Sequence, residues 1–141
     1  MSCKIHYVDN GLGTVIKISG IFEAEELFTS LEEHLKEPKK ALSKIIFHIT
    51  DYSEVTEVNA SEEEIQKVVD ISLKFMEKNS QLIVAIIADE EKAFKIARLW
   101  GISLEDAPWN IQVFRECEEA HIWLKKTLEE KFSITDLQFK V

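Results

Sequence analysis

The side chains most often used in catalysis and metal binding are sparse in this sequence and widely separated. Its histidines and cysteines are His6, His34, His48, His121, Cys3 and Cys117. No histidines stand at HxH or HExxH spacing and the cysteines form no CxxC pair, so the spacing predicts no metal site. Because no disulfide framework is apparent, we expect two reduced thiols, as in proteins of a reducing cytoplasm.

His48 is the histidine whose position along the chain is most informative. It lies in a strand-like run, Lys44–Ile49, beside Asp51. Alternation along a strand directs His48 away from Phe47 and Ile49, toward a helix or solvent. A pair of His48 with the Asp51 carboxylate could act as an acid–base dyad, but such catalysis also needs a nucleophile or substrate pocket, and the sequence locates neither. We therefore expect a partly buried histidine with satisfied hydrogen bonds.

The motifs of phosphate binding and nucleophilic catalysis are missing. The sequence contains no GxGxxG, no Walker-type Gly-Lys-Ser/Thr and no GxSxG, and its 4 glycines are too few for a phosphate-binding loop. Its glutamates fall mainly on helix faces predicted to be solvated. We expect a non-enzymatic protein with no catalytic residues, no cofactor and no metal.

Length and charge narrow the class of protein further. The chain has 141 residues, 45% of them apolar, which fits one folded domain. Its 17 Lys+Arg and 26 Asp+Glu give a net charge of −9, which argues against nucleic acid or an anionic membrane surface as a partner. No apolar run approaches the ~20 residues of a membrane span, and the N-terminus has no signal-peptide core. We expect a cytoplasmic protein.

Hydrophobic periodicity in the first third predicts a hairpin and a helix. Ile5–Tyr7 and Val15–Ile18 read as short strands joined by Asn10–Gly13, and Asn-Gly between strands is a strong hairpin signal. Phe22–Leu35 carries a narrow helical stripe of apolar residues, and Pro38 ends that helix.

The rest of the chain alternates helices with strands. Leu82–Ala88 is apolar without alternation, as expected of a central strand covered on both faces. Ser61 and Glu64 have capping-box spacing. The other predicted elements are a helix from Ser61 to about Asn79, a helix capped by Asp89 that runs to Trp100 and stops at Gly101, a strand over Ile111–Phe114, and a final helix with Cys117, Ala120, His121, Leu124 and Leu128 on one stripe. This order predicts an α/β domain with a mixed sheet of about five strands, antiparallel only in the first hairpin, and about four helices.

Two stretches in the C-terminal third resemble STAS domains, the fold of bacterial anti-sigma-factor antagonists. One is Val84–Trp100, and the other is Val113–Leu124, which reads VFRECEEAHIWL and is similar to the family's closing VFRDLEEALAWL pattern. The resemblance implies a small bacterial STAS-like protein with a regulatory or protein-interaction role. We expect one domain over residues 1–131 and a tail over 132–141. Leu137–Val141 in this tail alternates with period two, and the tail could form an edge strand or a dimer contact.

The resemblance also implies a candidate phosphorylation site at Ser61. STAS antagonists carry an Asp-Ser-Ser-Gly run whose second serine accepts phosphate, and residues 51–62 occupy the corresponding place. Asn59 and Ala60 stand where the family has Asp and Ser, Ser61 stands at the acceptor position, and Glu62 replaces Gly. The alternative is that Ser61 serves only as a helix N-cap.

Apolar residues exceed what two helices need to cover one sheet face. The surplus suggests a ligand or partner surface made of Ile71, Phe75, Phe94, Trp100 and Trp109. Three explanations compete: a homodimer interface, packing of the C-terminal tail, and a groove for an apolar ligand or lipid walled by Trp100 and Trp109. We expect a non-enzymatic interaction module that binds a protein partner or itself, with a small carrier of an apolar ligand as the alternative.

Overall fold

A single mixed sheet organises the chain in the computed structural model, which describes residues 2–141. Within those residues the sheet has five strands in the spatial order β1-β2-β3-β4-β5. β1 pairs antiparallel with β2, and every later neighbour is parallel. The strands are β1 Ser2–Val8, β2 Gly13–Glu23, β3 Phe47–Asn59, β4 Ile83–Ile87 and β5 Asn110–Phe114. The predicted mixed sheet and its opening hairpin are confirmed.

Helices connect the parallel strands, as the predicted crossovers require. They are α1 Ala24–Leu35, α2 Lys39–Lys44, α3 Glu62–Lys78, α4 Glu91–Ser103 and α5 Cys117–Phe132. Four of them match predicted helices. The short α2 was not predicted, and it begins directly after Pro38, which serves as its N-cap residue. Proline at a helix start needs no amide partner, so Pro38 separates two helices rather than opening a loop.

β4 forms the centre of the molecule. All five of its residues are buried, and the two faces of the sheet carry separate apolar cores. On one face Val84 and Ile86 pack with residues of α1, α3 and α4. On the other face Ile83, Ala85 and Ile87 pack with Leu124 and its neighbours on α5. The prediction of a strand covered on both sides is therefore confirmed.

Two strands are much longer than the sequence pattern indicated. β2, expected over Val15–Ile18, covers 11 residues, and β3, expected to end at Ile49, covers 13. They pair in parallel over almost their whole lengths, with register shifts between Lys17 and Ser19 and between Gly20 and Ile21. These irregularities break the period-two pattern locally. Because of this pairing, residues 51–59 are part of β3, and Phe22 belongs to β2 instead of the first helix.

The predicted ends of α4 need correction. Its N-cap is Glu90, whose carboxylate accepts the Ala93 amide at 2.9 Å, instead of Asp89. The helix also passes through Gly101 and ends at Ser103. A glycine lowers helix propensity by about 1 kcal/mol but does not end a helix whose neighbours pack well.

The C-terminal tail lies on the α5 face and forms no strand within the described residues. Leu137 and Phe139 are buried in the core of that face. The carboxylate of Asp9 accepts the backbone amides of Gln138 at 2.9 Å and Phe139 at 3.1 Å, and the Phe139 ring meets Phe47 edge to face. The edge-strand alternative is therefore wrong, and the dimer contact stays a prediction. The tail covers the opposite face of the sheet from the predicted tryptophan surface.

Gly13 allows β2 to pass directly over a buried ring. A Cβ atom at Gly13 would collide with the Phe47 ring, which is fully buried and held by Phe139. We predict that Gly13→Ala lowers the free energy of unfolding by about 1–3 kcal/mol through overpacking. The matched control is Gly101→Ala, where the nearest atom lies 3.8 Å away and alanine favours the helix. Urea unfolding checks both variants, and equal effects would contradict this account.

Candidate functional site

A cavity of about 80 Å³ that is partly open to the surface lies between the sheet and helices α1, α3 and α4. Its wall is mostly apolar and includes Ile16, Val84 and Ile86 from the sheet and Ala97 from α4. No Lys, Arg, Asp or Glu lines it in the part of the chain that the structure describes. A water molecule needs only about 10–15 Å³, and an apolar cavity of about 150 Å³ can bind benzene. The space is therefore suited to part of a small apolar molecule.

Two tryptophans form part of this wall, and both indole N–H groups have protein partners. Trp100 donates to the Ser72 hydroxyl at 3.1 Å, and Trp109 donates to the Asn79 carbonyl at 2.7 Å. The side-chain amide of Asn79 in turn donates to the backbone carbonyls of Leu42 and Ile45. These bonds fix the ring orientations, so the indole faces serve as rigid apolar surfaces.

A row of polar side chains from β3 crosses the apolar wall. His48, Thr50 and Tyr52 occupy alternate positions and therefore share one face of the strand, and all three line the cavity. The Thr14 hydroxyl lies 2.6 Å from His48 Nδ1, and the Thr50 hydroxyl lies 3.0 Å from His48 Nε2. Both ring nitrogens of His48 are thus engaged by threonines. Polar residues at every second position of a buried strand were the sequence signal for this row.

Burial keeps the His48 ring neutral. Desolvation lowers its pKa from 6.5 to about 3, because a charged imidazolium would lose its hydration in this environment. His48 as a residue is intermediate in exposure and lines the cavity. The acid–base pair of His48 with Asp51, which the sequence suggested, does not form. The Asp51 carboxylate instead accepts the backbone amide of Ser53 at 2.9 Å. Strand alternation places the two side chains on opposite faces.

Tyr52 carries a hydroxyl without a hydrogen-bond partner among the described residues 2–141. The side chain is 8% exposed, and its ring meets Phe22 edge to face with centroids 5.4 Å apart. Among residues 2–141 no hydrogen bond to the Tyr52 hydroxyl is found, although the residue lines the cavity. Burial, followed by the nearby Cys3, raises the pKa of Tyr52, so the hydroxyl stays protonated and can donate.

The structure separates the predicted apolar surface into two groups. Phe75, Trp100 and Trp109 line the cavity, and Phe75 also stacks on His34, with ring centroids 5.3 Å apart. Ile71 is 2% exposed and is not part of the cavity wall. Phe94 lies outside it as well, with the Arg115 guanidinium 3.9 Å from its ring centroid. Thr14, Thr50 and Tyr52 also belong to the wall and were not predicted as site residues.

Ser61 forms the capping box that the sequence indicated. Its hydroxyl accepts the Glu64 amide at 3.2 Å, and the Glu64 carboxylate accepts the Ser61 amide at 2.9 Å. These hydrogen bonds lower the pKa of Glu64. Ser61 is exposed at the N-terminus of α3, immediately after the end of β3. The assignment of Ser61 as a phosphoacceptor stays a prediction.

The cysteines are free thiols and lie in different elements. Cys3 is half-buried in β1, whereas Cys117 is exposed at the start of α5. Cys117 Sγ lies 3.4 Å from His121 Nε2. In residues 2–141 no group of three or more His, Cys, Asp or Glu side chains could hold a metal ion. No described helix is long and apolar enough to cross a membrane.

Comparison with solved structures identifies the fold. The chain is similar to an uncharacterized protein of the DUF3478 family with a SpoIIAA-like fold from Shewanella loihica PV-4. The TM-score is 0.54 at 20% identity, and the match covers 87% of this chain and 92% of that one. No protein-family model matches the sequence, and no curated protein matches it. The STAS-like architecture is thus confirmed at the level of the fold, which does not assign an activity.

Acidification should destabilise the protein through His48. Its pKa is about 3 in the folded state against 6.5 unfolded, so the unfolded state binds more protons as the pH falls below 6.5. The free energy of unfolding should therefore fall by up to about 1.4 kcal/mol per pH unit. Urea unfolding between pH 7.5 and about pH 5, above the usual carboxyl range, measures this slope. His48→Gln, which does not titrate, should make the slope shallower, with the remainder due to His34 and His121, whose pKa values burial also lowers. An equally steep slope in that variant would contradict the assignment.

The capping box gives a second measurable expectation. Ser61→Ala should lower the free energy of unfolding by about 1 kcal/mol, whereas Ser61→Asp should stay close to wild type because Asp is an equally good N-cap. Urea unfolding tests both variants, and a neutral alanine would rule out a stabilising cap. Intact-mass measurement after co-expression with candidate kinases tests the phosphoacceptor prediction separately, and a Ser61 that is never modified would contradict it.

Proposed function

We propose that this protein is a non-enzymatic STAS-like binding module that holds a small apolar ligand in the cavity beneath α1, α3 and α4. The observation that carries the proposal is a cavity whose wall, in the described chain, is mostly apolar, carries no charge and includes Tyr52, whose accessible hydroxyl has no hydrogen-bond partner among residues 2–141. Apolar walls with a few convergent polar groups are typical of small-molecule sites. A donor without a protein acceptor beside such a wall can orient an apolar ligand that carries one polar atom.

The apolar surface of the cavity supports ligand binding. A ligand that fills the space of about 80 Å³ would remove this surface from water and gain dispersion contacts with the wall.

The side chains of the wall support a binding role over a catalytic one. His48, the most obvious acid–base group, has both nitrogens bonded to threonines and a strongly lowered pKa. The Ser72 hydroxyl donates to the Val68 carbonyl at 2.8 Å and accepts the Trp100 indole. Neither group forms a nucleophile–base pair of the kind that covalent catalysis needs.

A regulatory role through a protein partner or a second copy of the chain is the second candidate. The observation in its favour is an apolar strip on the outer side of α4, where Leu99 and Ile102 are each 54% exposed. The two residues are three positions apart and therefore lie on one helix face. Exposed apolar residues that cluster in this way are found at protein interfaces.

Native mass spectrometry distinguishes these roles. We expect the purified protein to carry a small molecule that is released on unfolding. Ala97→Leu adds three carbon atoms at the cavity wall, so this variant should fold but lack the bound mass. Ala41→Leu, at a partly exposed site outside the wall, is the matched control and should keep it.

The masses in the same spectra report self-association. A doubled mass that becomes monomeric in Leu99→Glu would support the interface on α4. A bare monomer in the wild type would count against both the ligand and the dimer.

A further inference from the structure

The polar row on β3 and the neighbouring Thr14 of β2 offer more hydrogen-bond donors than the described residues use. Thr14, neutral His48 and Thr50 together carry three polar hydrogens, but their two mutual hydrogen bonds use only two. Whichever tautomer His48 adopts, either Thr14 or Thr50 keeps a hydroxyl hydrogen that neither of these two hydrogen bonds uses. Tyr52, two residues further along β3, contributes a second hydrogen without a protein acceptor among residues 2–141. The wall is therefore complementary to a hydrogen-bond acceptor.

Nothing in the described wall would neutralise a charged ligand. Lys and Arg are absent from it, so no cation can pair with a carboxylate or phosphate. The two histidines of the wall, His34 and His48, both have pKa values lowered by burial and stay neutral near pH 7. Asp and Glu are equally absent from this lining, so an ammonium group would also lack a partner. Burying an unpaired charge is far more costly than burying a hydrogen-bonded neutral group.

We propose that the ligand is an uncharged apolar molecule with an accepting oxygen, such as a ketone, ester or amide carbonyl, which binds the hydroxyl of Tyr52. This inference rests on the proposed binding function and specifies the chemical class of its ligand. The apolar part lies against Val84, Ile86 and Trp100, and the oxygen faces the polar row of β3. The site thereby discriminates against the free acid and the amine of the same carbon skeleton.

Tyr52 is suited to this role because its ring is fixed before the ligand arrives. Phe22 holds the ring edge to face, and the side chain is almost completely buried, so little conformational entropy remains to be lost. A preorganised donor in an apolar site contributes orientation and specificity with little additional ordering. Because the hydroxyl has no protein acceptor to lose, its removal should leave the stability of the unliganded protein unchanged or slightly higher.

A matched set of probes tests the inference directly. We would titrate the ¹⁵N-labelled full chain near pH 7.5 with 2-hexanone, hexane, hexanoate and hexylammonium, and follow amide chemical shifts around the cavity. We expect 2-hexanone to bind at least tenfold more tightly than either ion, because the ions would lose hydration without gaining a partner.

Tyr52→Phe separates the hydrogen bond from the shape of the site. The variant should weaken 2-hexanone binding about three- to tenfold, as expected for one lost hydrogen bond, and should leave hexane binding unchanged. Thr56→Val is the control for loss of a hydroxyl, because Thr56 lies on the same strand, is exposed and lies outside the wall. It should bind both probes like the wild type.

The outcomes distinguish this inference from the binding function on which it rests. Tight binding of hexanoate or hexylammonium would overturn the assigned ligand class and leave the cavity as a binding site. Unchanged 2-hexanone affinity in Tyr52→Phe would overturn the role of Tyr52. Shifts with none of the four probes would contradict the binding function itself, and the ligand class with it.

Discussion

The parallel register of β3 between its two neighbours is the constraint on which the site depends. Thr14 and Ile16 of β2 pair with His48 and Thr50, which in turn pair with Val84 and Ile86 of β4. A slip of one residue would turn the polar row into the core beneath α5 and bring Phe47 and Ile49 under α1 and α3. The apolar identity of β4 opposes such a slip only weakly, because that strand is buried on both faces. The alternation of β3 itself must therefore specify the register.

The two faces of the sheet are packed in different ways, and this difference explains where the cavity lies. On the α5 face, Phe47 stacks under Gly13 and against Phe139, and Asp9 holds the tail in place. On the opposite face three helices meet the sheet, and hydrogen bonds of Trp100 and Trp109 hold their indoles at fixed positions. Rigid rings anchored at their polar ends cannot move inward to fill the remaining space.

Local sequence patterns were sufficient to predict much of the fold. The Asn-Gly turn, the Ser61–Glu64 capping box and the apolar run before Asp89 each depend on residues close in sequence, and each was identified. The extension of β3 through residues 51–59 was missed because its pairing with β2 is long-range and contains bulges. The tail was misassigned for a related reason, since its amides bond to Asp9, about 130 positions away.

The candidate site was predictable only in part. An excess of apolar residues pointed to Phe75, Trp100 and Trp109, which do share one cavity. Helical periodicity could not show that Ile71 is buried away from this space or that Phe94 packs under Arg115. The role of Tyr52 could not be predicted either. It depends on the lack of a hydrogen-bond partner for its hydroxyl among the described residues, which only the folded structure shows.

The central claim is that an open apolar cavity adjoins the polar row of β3. A crystal of the protein pressurised with xenon tests it most directly, because xenon occupies apolar cavities without requiring polar contacts. This account predicts an anomalous difference peak between Tyr52 and Trp100. Xenon bound only elsewhere, with the helices packed closely onto β3, would contradict it.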